Sequence, residues 1–390
     1  MTLPRRQRST LQLLWEDRIL SKHLRSGVSL HSHTMHSEER LDLLPHYIGK
    51  LPIFSRAFLR HLDCRHGFWT PPFSPRQAYR AEEKQVERNL QLPALVSLTD
   101  HDNIRAGTAL RVMERYQNVP ISVEWTVPFG CTFFHIGVHN LPAAHACEIV
   151  QDLNSLTARP NIQSLREKLS YLNAHRNVLL VLNHPLWDEK GIGSNGHAQQ
   201  LGRLLSLIHP YLHALELNGL RSWSENNRVI HLGRETGKPV LSGGDRHGCE
   251  PNAILNLSAA SSFPEFVEEV RQHARSHVVF MPQYRQPLNW RTMQTVIDVL
   301  RDYPSSFAGR RSWTERVFYR LPDGSVKCMA SLFPQDRVPP IFKAVNAAVD
   351  LFQLRGVRSL VRMLMTGCEA ERRSFDTSCT QLELEEKLSA

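Results

Sequence analysis

The sequence predicts an α/β fold whose strands form a parallel sheet, either open or closed into a barrel. Seven short runs of β-favouring residues recur along the chain, and amphipathic stretches with helical periodicity lie between them. The 390 residues, 41% hydrophobic and 22% charged, suffice for one core of about 250 residues with extensions. Because strands that alternate with helices pair in parallel, this pattern indicates an α/β enzyme-like architecture rather than a fibre or a disordered chain.

The predicted elements follow one another closely in chain order. Strands are expected at residues 28–30, 94–98, 121–123, 132–138, 178–182, 214–217 and 239–241. Helices are expected at residues 75–90, 104–116, 162–175 and 225–236. The last of these helices precedes Gly237, a residue type that commonly ends helices in a left-handed conformation.

Segments at both ends of the chain, and one near its start, fall outside this alternation. Residues 1–26 predict one helix that packs against the outside of the main unit. Its apolar face comprises Leu11, Leu14, Ile19, Leu20 and Leu24. An insertion at about residues 40–75, rich in aromatic, proline and basic residues, separates the first two strands and is placed to cap a site. The main unit therefore spans residues 27–285.

Residues 286–390 form a C-terminal extension of α+β character and unknown role. Its pattern predicts a helix at 288–300, a hairpin within 316–333 that turns at Pro322-Asp323-Gly324, and a basic amphipathic helix within 340–365. The remaining residues are polar, and we expect them to be loosely structured.

The charge of the chain favours an anionic partner. Lys and Arg number 47 against 38 Asp and Glu, giving a formal net charge of +9, which suits phosphate, nucleic acid or a lipid surface. No apolar run approaches the roughly 20 residues of a spanning helix, so we expect no integral membrane segment. Without a signal-peptide core, a cytoplasmic location is expected. The seven cysteines contain no C-x-x-C pair, which argues against a disulfide framework or a thiolate zinc site.

Metal-binding side chains follow nearly every predicted strand. The eight candidates are His31, His33, His101, Glu124, His135, His184, Asp245 and His247. Any one of them alone would more often be an ordinary surface histidine or a helix cap. Because the carboxyl ends of parallel strands lie on one face, we expect these side chains to converge there.

The spacing within two strand ends suits chelation. His31 and His33 lie two residues apart, so both imidazoles project to the same side of an extended chain, and Asp245 and His247 repeat this spacing. Glu124 offers two oxygens and could bridge two ions. Eight candidates are too many for one ion with open positions, so the sequence predicts a site for more than one metal ion.

In this order the motifs resemble those of the polymerase and histidinol phosphatase (PHP) superfamily. They are His31-Ser32-His33-Thr34, Thr99-Asp100-His101-Asp102, Glu124, His135, Asn183-His184-Pro185 and Gly244-Asp245-Arg246-His247. The resemblance covers residues 27–285 and implies a distorted (β/α)7 TIM-like barrel, here with an insertion after strand 1 and a C-terminal α+β extension. It also implies two or three divalent metal ions, Mn, Fe or Zn, that hydrolyse phosphoesters.

The resemblance further implies three ligand sets. The first is His31, His33, Glu124 and Asp245; the second is His101, His247 and a residue after the HxH pair; the third is Glu124, His135 and His184. Many family members carry an Asp after the HxH pair. In this chain Glu38 occupies that position and is the expected ligand, with Glu39 or His36 as substitutes.

The resemblance therefore implies a metal-dependent phosphoesterase in which the ions lower the pKa of a bound water, so that hydroxide attacks phosphorus. The side chains expected to be required for turnover are Glu124, Asp245 and His184. Those expected to bind substrate are Arg246, Arg221, Arg105 and Asn218, since guanidinium groups fit phosphate. Asp100 and Asp102 are expected either to orient His101 or to cap the next helix.

The expected substrate is a phosphomonoester or the end of a short oligonucleotide. Two alternatives stay open: a metal-dependent hydrolase of another bond, such as an amide, and a binding module without catalysis. The sequence does not indicate an oligomeric state.

Overall fold

A computed structural model describes residues 8–18, 20–41, 65–305, 310–333 and 339–365 of the chain. These residues form a mixed α/β fold with two five-stranded sheets and one four-stranded sheet. The strands are β1 (Arg8–Leu13), β2 (Ser26–Ser29), β3 (Glu39–Arg40), β4 (Gly67–Trp69), β5 (Ala94–Val96), β6 (Val123–Phe129), β7 (Thr132–His139), β8 (Leu179–Asn183), β9 (Ala214–Asn218), β10 (Val240–Gly243), β11 (Ile254–Ser258), β12 (Arg275–Phe280), β13 (Val317–Arg320) and β14 (Val326–Cys328).

The helices lie mostly between consecutive strands, as the sequence predicts. They are α1 (Pro75–Leu90), α2 (Arg105–Arg111), α3 (Ala146–Ala158), α4 (Ile162–Ala174), α5 (Ser194–Ile208), α6 (Trp223–Thr236), α7 (Phe263–His273), α8 (Leu288–Leu300), α9 (Met329–Leu332), α10 (Pro340–Gln353) and α11 (Arg355–Met365). Local signals define several ends: Ser74 and Gln77 form a capping box before α1, and Gly237 ends α6 with φ 68°. None of the described helices combines the length and apolar character needed to cross a membrane.

Two open sheets carry the strands predicted from the sequence. One has the order β1-β12-β11-β2-β5 and the other β10-β9-β8-β7-β6. The α/β class is confirmed, but neither sheet is closed. Isolated bridges connect the ends of strands from the two sheets, one between Ser32 and Arg246 and one between His101 and Glu124. Both bridges lie at the strand ends that carry the predicted ligands.

The pairing is not parallel throughout. β8, β9 and β10 pair in parallel, whereas β6, β7 and β8 are antiparallel. Only Gly130 and Cys131 separate β6 from β7, and Gly130 has φ 59°. Because a parallel connection needs a crossover of a dozen or more residues, this link can form only a hairpin.

The predicted N-terminal helix is wrong. Residues 8–13 form the edge strand β1, which pairs in parallel with β12 from Arg8↔Arg275 to Leu13↔Phe280. The sequence pattern did not predict the strand β12, so it could not predict that residues 8–13 pair with it. The leucines of the predicted apolar face still contribute to packing, since Leu14 and Leu24 are buried beside Met281; Ile19 lies outside the described residues.

The insertion and the C-terminal extension form one sheet together. Its order is β14-β13-β4-β3, with antiparallel pairing throughout. The predicted hairpin is β13–β14 and the predicted helix 288–300 is α8, while the predicted basic helix is divided into α10 and α11. Residues 42–64 of the insertion and the polar residues from 366 onward lie outside the described residues.

A small apolar core holds this extension together, and Trp313 is at its centre. The indole is 2% exposed, contacts the ring of Phe342 at a centroid distance of 5.2 Å and donates from Nε1 to Asn346 Oδ1 at 2.6 Å. We expect Trp313→Ala to lower the free energy of unfolding by about 3–5 kcal/mol, because it leaves a cavity in this core. Urea denaturation followed by circular dichroism measures the change.

Leu351→Ala on α10 is the matched control, because Leu351 is 54% exposed. Its effect should stay within about 0.5 kcal/mol. Equal effects of the two substitutions would contradict the core assignment.

Candidate metal centre

The predicted ligands come together where the two open sheets meet. His31 and His33 follow β2, His101 follows β5, Glu124 lies in β6 and His135 in β7, His184 follows β8, and Asp245 and His247 follow β10. We call the following nine side chains the metal-ligand cluster: His31, His33, Glu39, His101, Glu124, His135, His184, Asp245 and His247. All eight ligands predicted from strand ends are in it.

The carboxylate of Glu124 lies at the centre of this cluster and is completely buried. Its Oε2 lies 3.0 Å from His31 Nε2 and 3.3 Å from both His33 Nε2 and His101 Nδ1. Its Oε1 lies 3.5 Å from His135 Nδ1 and 3.2 Å from His184 Nε2. The two oxygens therefore face two different sets of imidazoles, as the bridging role predicted for this residue requires.

Asp245 joins the two ends of the cluster. Its Oδ1 lies 3.5 Å from His31 Nε2 and 3.4 Å from both His33 Nε2 and His247 Nδ1. His33 and His247 in turn stack with a ring centroid distance of 4.2 Å. Asp245 thus contacts both histidines of the HxH pair and also His247, which follows the last predicted strand.

A second group of ligand atoms forms around Glu39 rather than Glu38. Glu39 Oε2 lies 3.3 Å from His101 Nε2 and 3.1 Å from His247 Nε2, and Oε1 lies 3.7 Å from His33 Nδ1. The expected ligand Glu38 instead forms an ion pair with Arg320 at the surface and is 41% exposed. The structure places Glu39, rather than the predicted Glu38, beside the histidines, because successive residues of an extended chain face opposite sides.

The residues fit divalent metal ions. Two ligand atoms that share one ion at about 2.0–2.2 Å lie roughly 3.0–3.5 Å apart at tetrahedral or octahedral angles, which matches the separations around Glu124 and Asp245. Four buried atoms of the cluster have no hydrogen-bond partner among the described residues: His31 Nε2, His33 Nε2, Glu39 Oε1 and Glu124 Oε2. Buried polar groups rarely stay unpaired, so these atoms are where ligand bonds are expected.

Charges in the cluster depend on one another. Burial lowers the pKa of the imidazoles, but neighbouring carboxylates outweigh it, so the pKa of His31 and of His101 lies well above the usual value and that of His247 is about 9. Burial raises the pKa of Glu39 and Glu124, but the surrounding histidines outweigh it and hold both pKa values well below the usual range. In the metal-free cluster His31, His101 and His247 are therefore imidazolium groups beside carboxylates, whereas burial holds the pKa of His135 well below the usual value.

Glu216 supports the cluster from behind, and the sequence analysis missed it. It accepts hydrogen bonds from His31 Nδ1, from the backbone N–H of His184 at 2.7 Å and from Asn218 Nδ2 at 3.2 Å. A Cβ on Gly243 would lie 1.5 Å from Glu216 Oε1, so glycine is required at that position. The available signal was a charged residue within the apolar run 214–217.

Three other carboxylates near the cluster have distinct surroundings. Asp100 accepts from the backbone N–H and the hydroxyl of Thr34, at 2.6 and 2.8 Å, and so fixes the segment after the HxH pair. Asp102 accepts from the backbone N–H of Thr126 at 2.8 Å and caps no helix. Glu189, also missed from the sequence, places Oε2 3.6 Å from His135 Nδ1, and burial raises its pKa to about 7.

The backbone is strained at several ligands. His31, His184 and Asp245 have φ values of 61°, 27° and 51°, in the left-handed region that such residues rarely adopt. Each such conformation costs about 1–3 kcal/mol and persists only where the surroundings impose it. Three such residues in one cluster indicate that the surrounding structure holds these ligands in place at a cost in backbone conformational energy.

The four residues predicted to bind substrate lie in different surroundings. Arg221 borders the cluster, with Nη2 3.8 Å from Asp245 Oδ2 and its guanidinium 3.5 Å above the ring of Trp187. Asn218 is buried and donates to Asp245 Oδ2 at 3.3 Å, so it orients a ligand. Arg246 is buried against Glu82, with Nε 2.9 Å from Oε1, and Arg105 is exposed at the start of α2.

Comparisons with known proteins do not identify a family. No protein-family model and no curated protein matches the chain. Among solved structures, the chain is similar to PsfC from Pseudomonas syringae, with a TM-score of 0.40 and 16% identity over 70% of this chain and 97% of that one. A candidate metal-dependent phosphoesterase of Bifidobacterium adolescentis has a TM-score of 0.35 and 12% identity, over 64% of this chain and 96% of that one.

An amidohydrolase from Chromobacterium violaceum is also similar, with a TM-score of 0.33 and 16% identity over 56% of this chain and 87% of that one. Likeness at these levels supports no functional inference. The metal centre is therefore inferred from the side chains alone.

Substitution of two adjacent glutamates distinguishes the ligand from its neighbour. We expect Glu39→Gln to weaken the binding of one metal ion, because it removes a carboxylate in contact with three imidazoles. Loss of a residue that only orients a ligand weakens metal binding by about 10- to 100-fold, so loss of a ligand should cost at least as much. Elemental analysis of protein dialysed against limiting Mn²⁺ should show about one ion fewer per chain. The matched control Glu38→Gln should keep the full metal content; metal loss in that variant alone would restore Glu38 as the ligand.

Metal binding at pH 7 should release protons. In the metal-free protein His31, His101 and His247 are protonated, because their pKa values are raised, whereas metal ligands must be neutral imidazoles. The stability that the His247–Glu39 pair contributes is complete below about pH 6.5 and is lost as the pH rises through about 9. Proton release should therefore diminish toward that pH.

Calorimetric titration with Mn²⁺ in buffers of different ionisation enthalpy measures the released protons. A binding heat that is the same in every buffer at pH 7 would show that the histidines are already neutral, against this assignment.

Proposed function

We propose that the protein is a metal-dependent hydrolase that cleaves phosphoester bonds, with a phosphomonoester or an oligonucleotide end as substrate. The observation that carries the proposal is the buried Glu124 carboxylate, whose two oxygens lie among five imidazoles. Such an arrangement suits two neighbouring divalent ions. When bound, these ions would activate water and neutralise charge on the phosphoryl oxygens.

The cluster is open on one side, which favours a catalytic over a structural site. His31, His33 and Glu124 are at most 1% exposed, whereas the side chains of His101 and His247 are 18% and 15% exposed. Structural metal sites are closed by protein ligands, while catalytic sites keep a position for water or substrate. The side with His101 and His247 is thus where we place the substrate.

The charge of the site favours an anionic substrate over a neutral amide. Two divalent ions would bring four positive charges, which offset the four buried carboxylates of Glu39, Glu124, Glu216 and Asp245 beside the histidines. Arg221 adds a further positive charge beside Asp245, and its stacking on Trp187 holds the guanidinium in one orientation. A preorganised guanidinium fork fits two phosphate oxygens.

Residues around the cluster hold its ligands in their orientations. Glu216 and Asn218 hold His31 and Asp245 in their orientations, and Asp100 fixes the segment after the HxH pair through Thr34. Glu124, Asp245 and His184 are the residues on which turnover is proposed to depend. Amide hydrolysis and binding without catalysis are the competing functions that the experiments must separate.

A substrate panel tests the reaction. With added Mn²⁺, the full-length protein should release p-nitrophenol from p-nitrophenyl phosphate or bis-p-nitrophenyl phosphate and leave p-nitroacetanilide intact. Glu124→Gln should lose this turnover, because the bridging carboxylate is removed. Cleavage of the anilide alone would favour the amidase alternative, and a metal-loaded protein that cleaves no compound of the panel would favour a binding module.

Two arginine substitutions test which cation contacts the phosphate. Arg221→Ala should lower kcat/KM for the phosphate substrate by about 10- to 100-fold, since it removes charge-assisted hydrogen bonds to the substrate. Arg105→Ala is the control, because Arg105 is exposed at the start of α2. If steady-state kinetics show the larger loss for Arg105→Ala, the proposed substrate orientation is wrong.

A further inference from the structure

A cavity lies between the main α/β unit and the C-terminal extension. Its volume is about 150 Å³, enough for a ligand of several heavy atoms. The strand-end residues Gly219 and Gly244 form one wall, and Arg291, Gln294 and Thr295 of α8 form another. None of these residues belongs to the metal-ligand cluster.

Two buried polar atoms at this cavity lack partners among the described residues. Arg246 is 3% exposed; its Nε binds Glu82 and its Nη1 donates to Gly248 O at 3.0 Å, but Nη2 has no acceptor. Gln283 uses its Nε2 as a donor to Gln85, and its Oε1 has no donor. Leaving a buried donor or acceptor unpaired costs about 1–3 kcal/mol, so a ligand that reached either atom would recover part of that cost.

The cavity wall carries more positive than negative charge, since Arg246 is paired with Glu82 and Arg358 with Glu250, whereas Arg291 donates to backbone carbonyl oxygens. Arg246, Arg291 and Arg358 line the cavity, and Glu250 is the acidic lining residue, 3.4 Å from Arg358. The unpaired Arg246 Nη2 offers a hydrogen to an anionic oxygen, while Gln283 Oε1 requires a hydroxyl or similar donor. A small phosphate ester with a free hydroxyl satisfies both groups.

We propose that this cavity, formed by Arg246, Gln283 and Arg358 between the main unit and the extension, binds a small hydroxylated phosphate. The proposal does not require the proposed function, because none of the metal-ligand cluster lines the cavity, and it places Arg246, predicted from the sequence to bind the substrate, at this cavity instead. The cavity nevertheless adjoins the segment that carries Arg221: Arg291 donates to the backbone carbonyl oxygens of both Gly219 and Arg221. A ligand bound here therefore contacts the support of one side of the metal centre.

Calorimetric titration with inorganic phosphate and with glycerol 3-phosphate tests the site in the full-length protein. A binding event that survives removal of metal by a chelator is expected, since the cavity contains no metal ligand. Arg358→Glu should weaken that event by about tenfold or more, because it places a second carboxylate beside Glu250. The matched control Arg355→Glu changes the same charge on the same helix outside the cavity lining and should leave the event unchanged.

Gln294→Glu repeats the test from the opposite wall with almost no change of volume, and Gln199→Glu, exposed on α5, is its control. Thermal melting verifies that each variant is folded. The proposal is overturned if all phosphate binding disappears with the metal, if Arg358→Glu and Arg355→Glu behave alike, or if neutral glycerol binds as well as glycerol 3-phosphate. In those cases the cavity holds only water.

Discussion

The burial of the Glu124 carboxylate is the constraint on which the rest of this structure depends. An ionised carboxylate without access to water is costly unless positive charge surrounds it, and here imidazoles from several strand ends supply that surrounding. The two open sheets must therefore bring their ends together at this point, and the bridge between His101 and Glu124 is where they do. The left-handed conformations of His31, His184 and Asp245 follow from the same demand.

The C-terminal extension supports the candidate metal centre, although none of the nine side chains of the metal-ligand cluster comes from its described residues. Glu39 lies on β3, which pairs with β4, and β4 pairs with β13 of the extension. Arg310 of the extension donates to the backbone carbonyl of Met35, and Arg320 binds Glu38. The position of Glu39 thus depends on a sheet whose strands come from both the insertion and the extension. Both segments therefore help to hold this side chain beside the histidines.

The arginine surplus of the sequence is divided between structure and site. Arg316 is 1% exposed and donates to backbone carbonyls of Val299 and Arg310, so it organises the extension. Arg246 neutralises the buried Glu82, whereas Arg221 lies on Trp187 beside the ligands. The net charge of +9 therefore does not measure the charge at the candidate site, where Arg221 is the guanidinium beside the ligands.

The sequence by itself determined most strands of the two open sheets and the candidate ligands that lie in them or follow them. The seven predicted strands correspond to β2 and β5–β10, and the eight strand-end ligands converge because side chains at the ends of neighbouring strands have little freedom to diverge. Only the tertiary structure decided the features that depend on distant pairing. β1 is a strand because β12 offers an edge, Glu39 rather than Glu38 faces the histidines because β3 pairs with β4, and Glu216 has room because Gly243 lacks a Cβ.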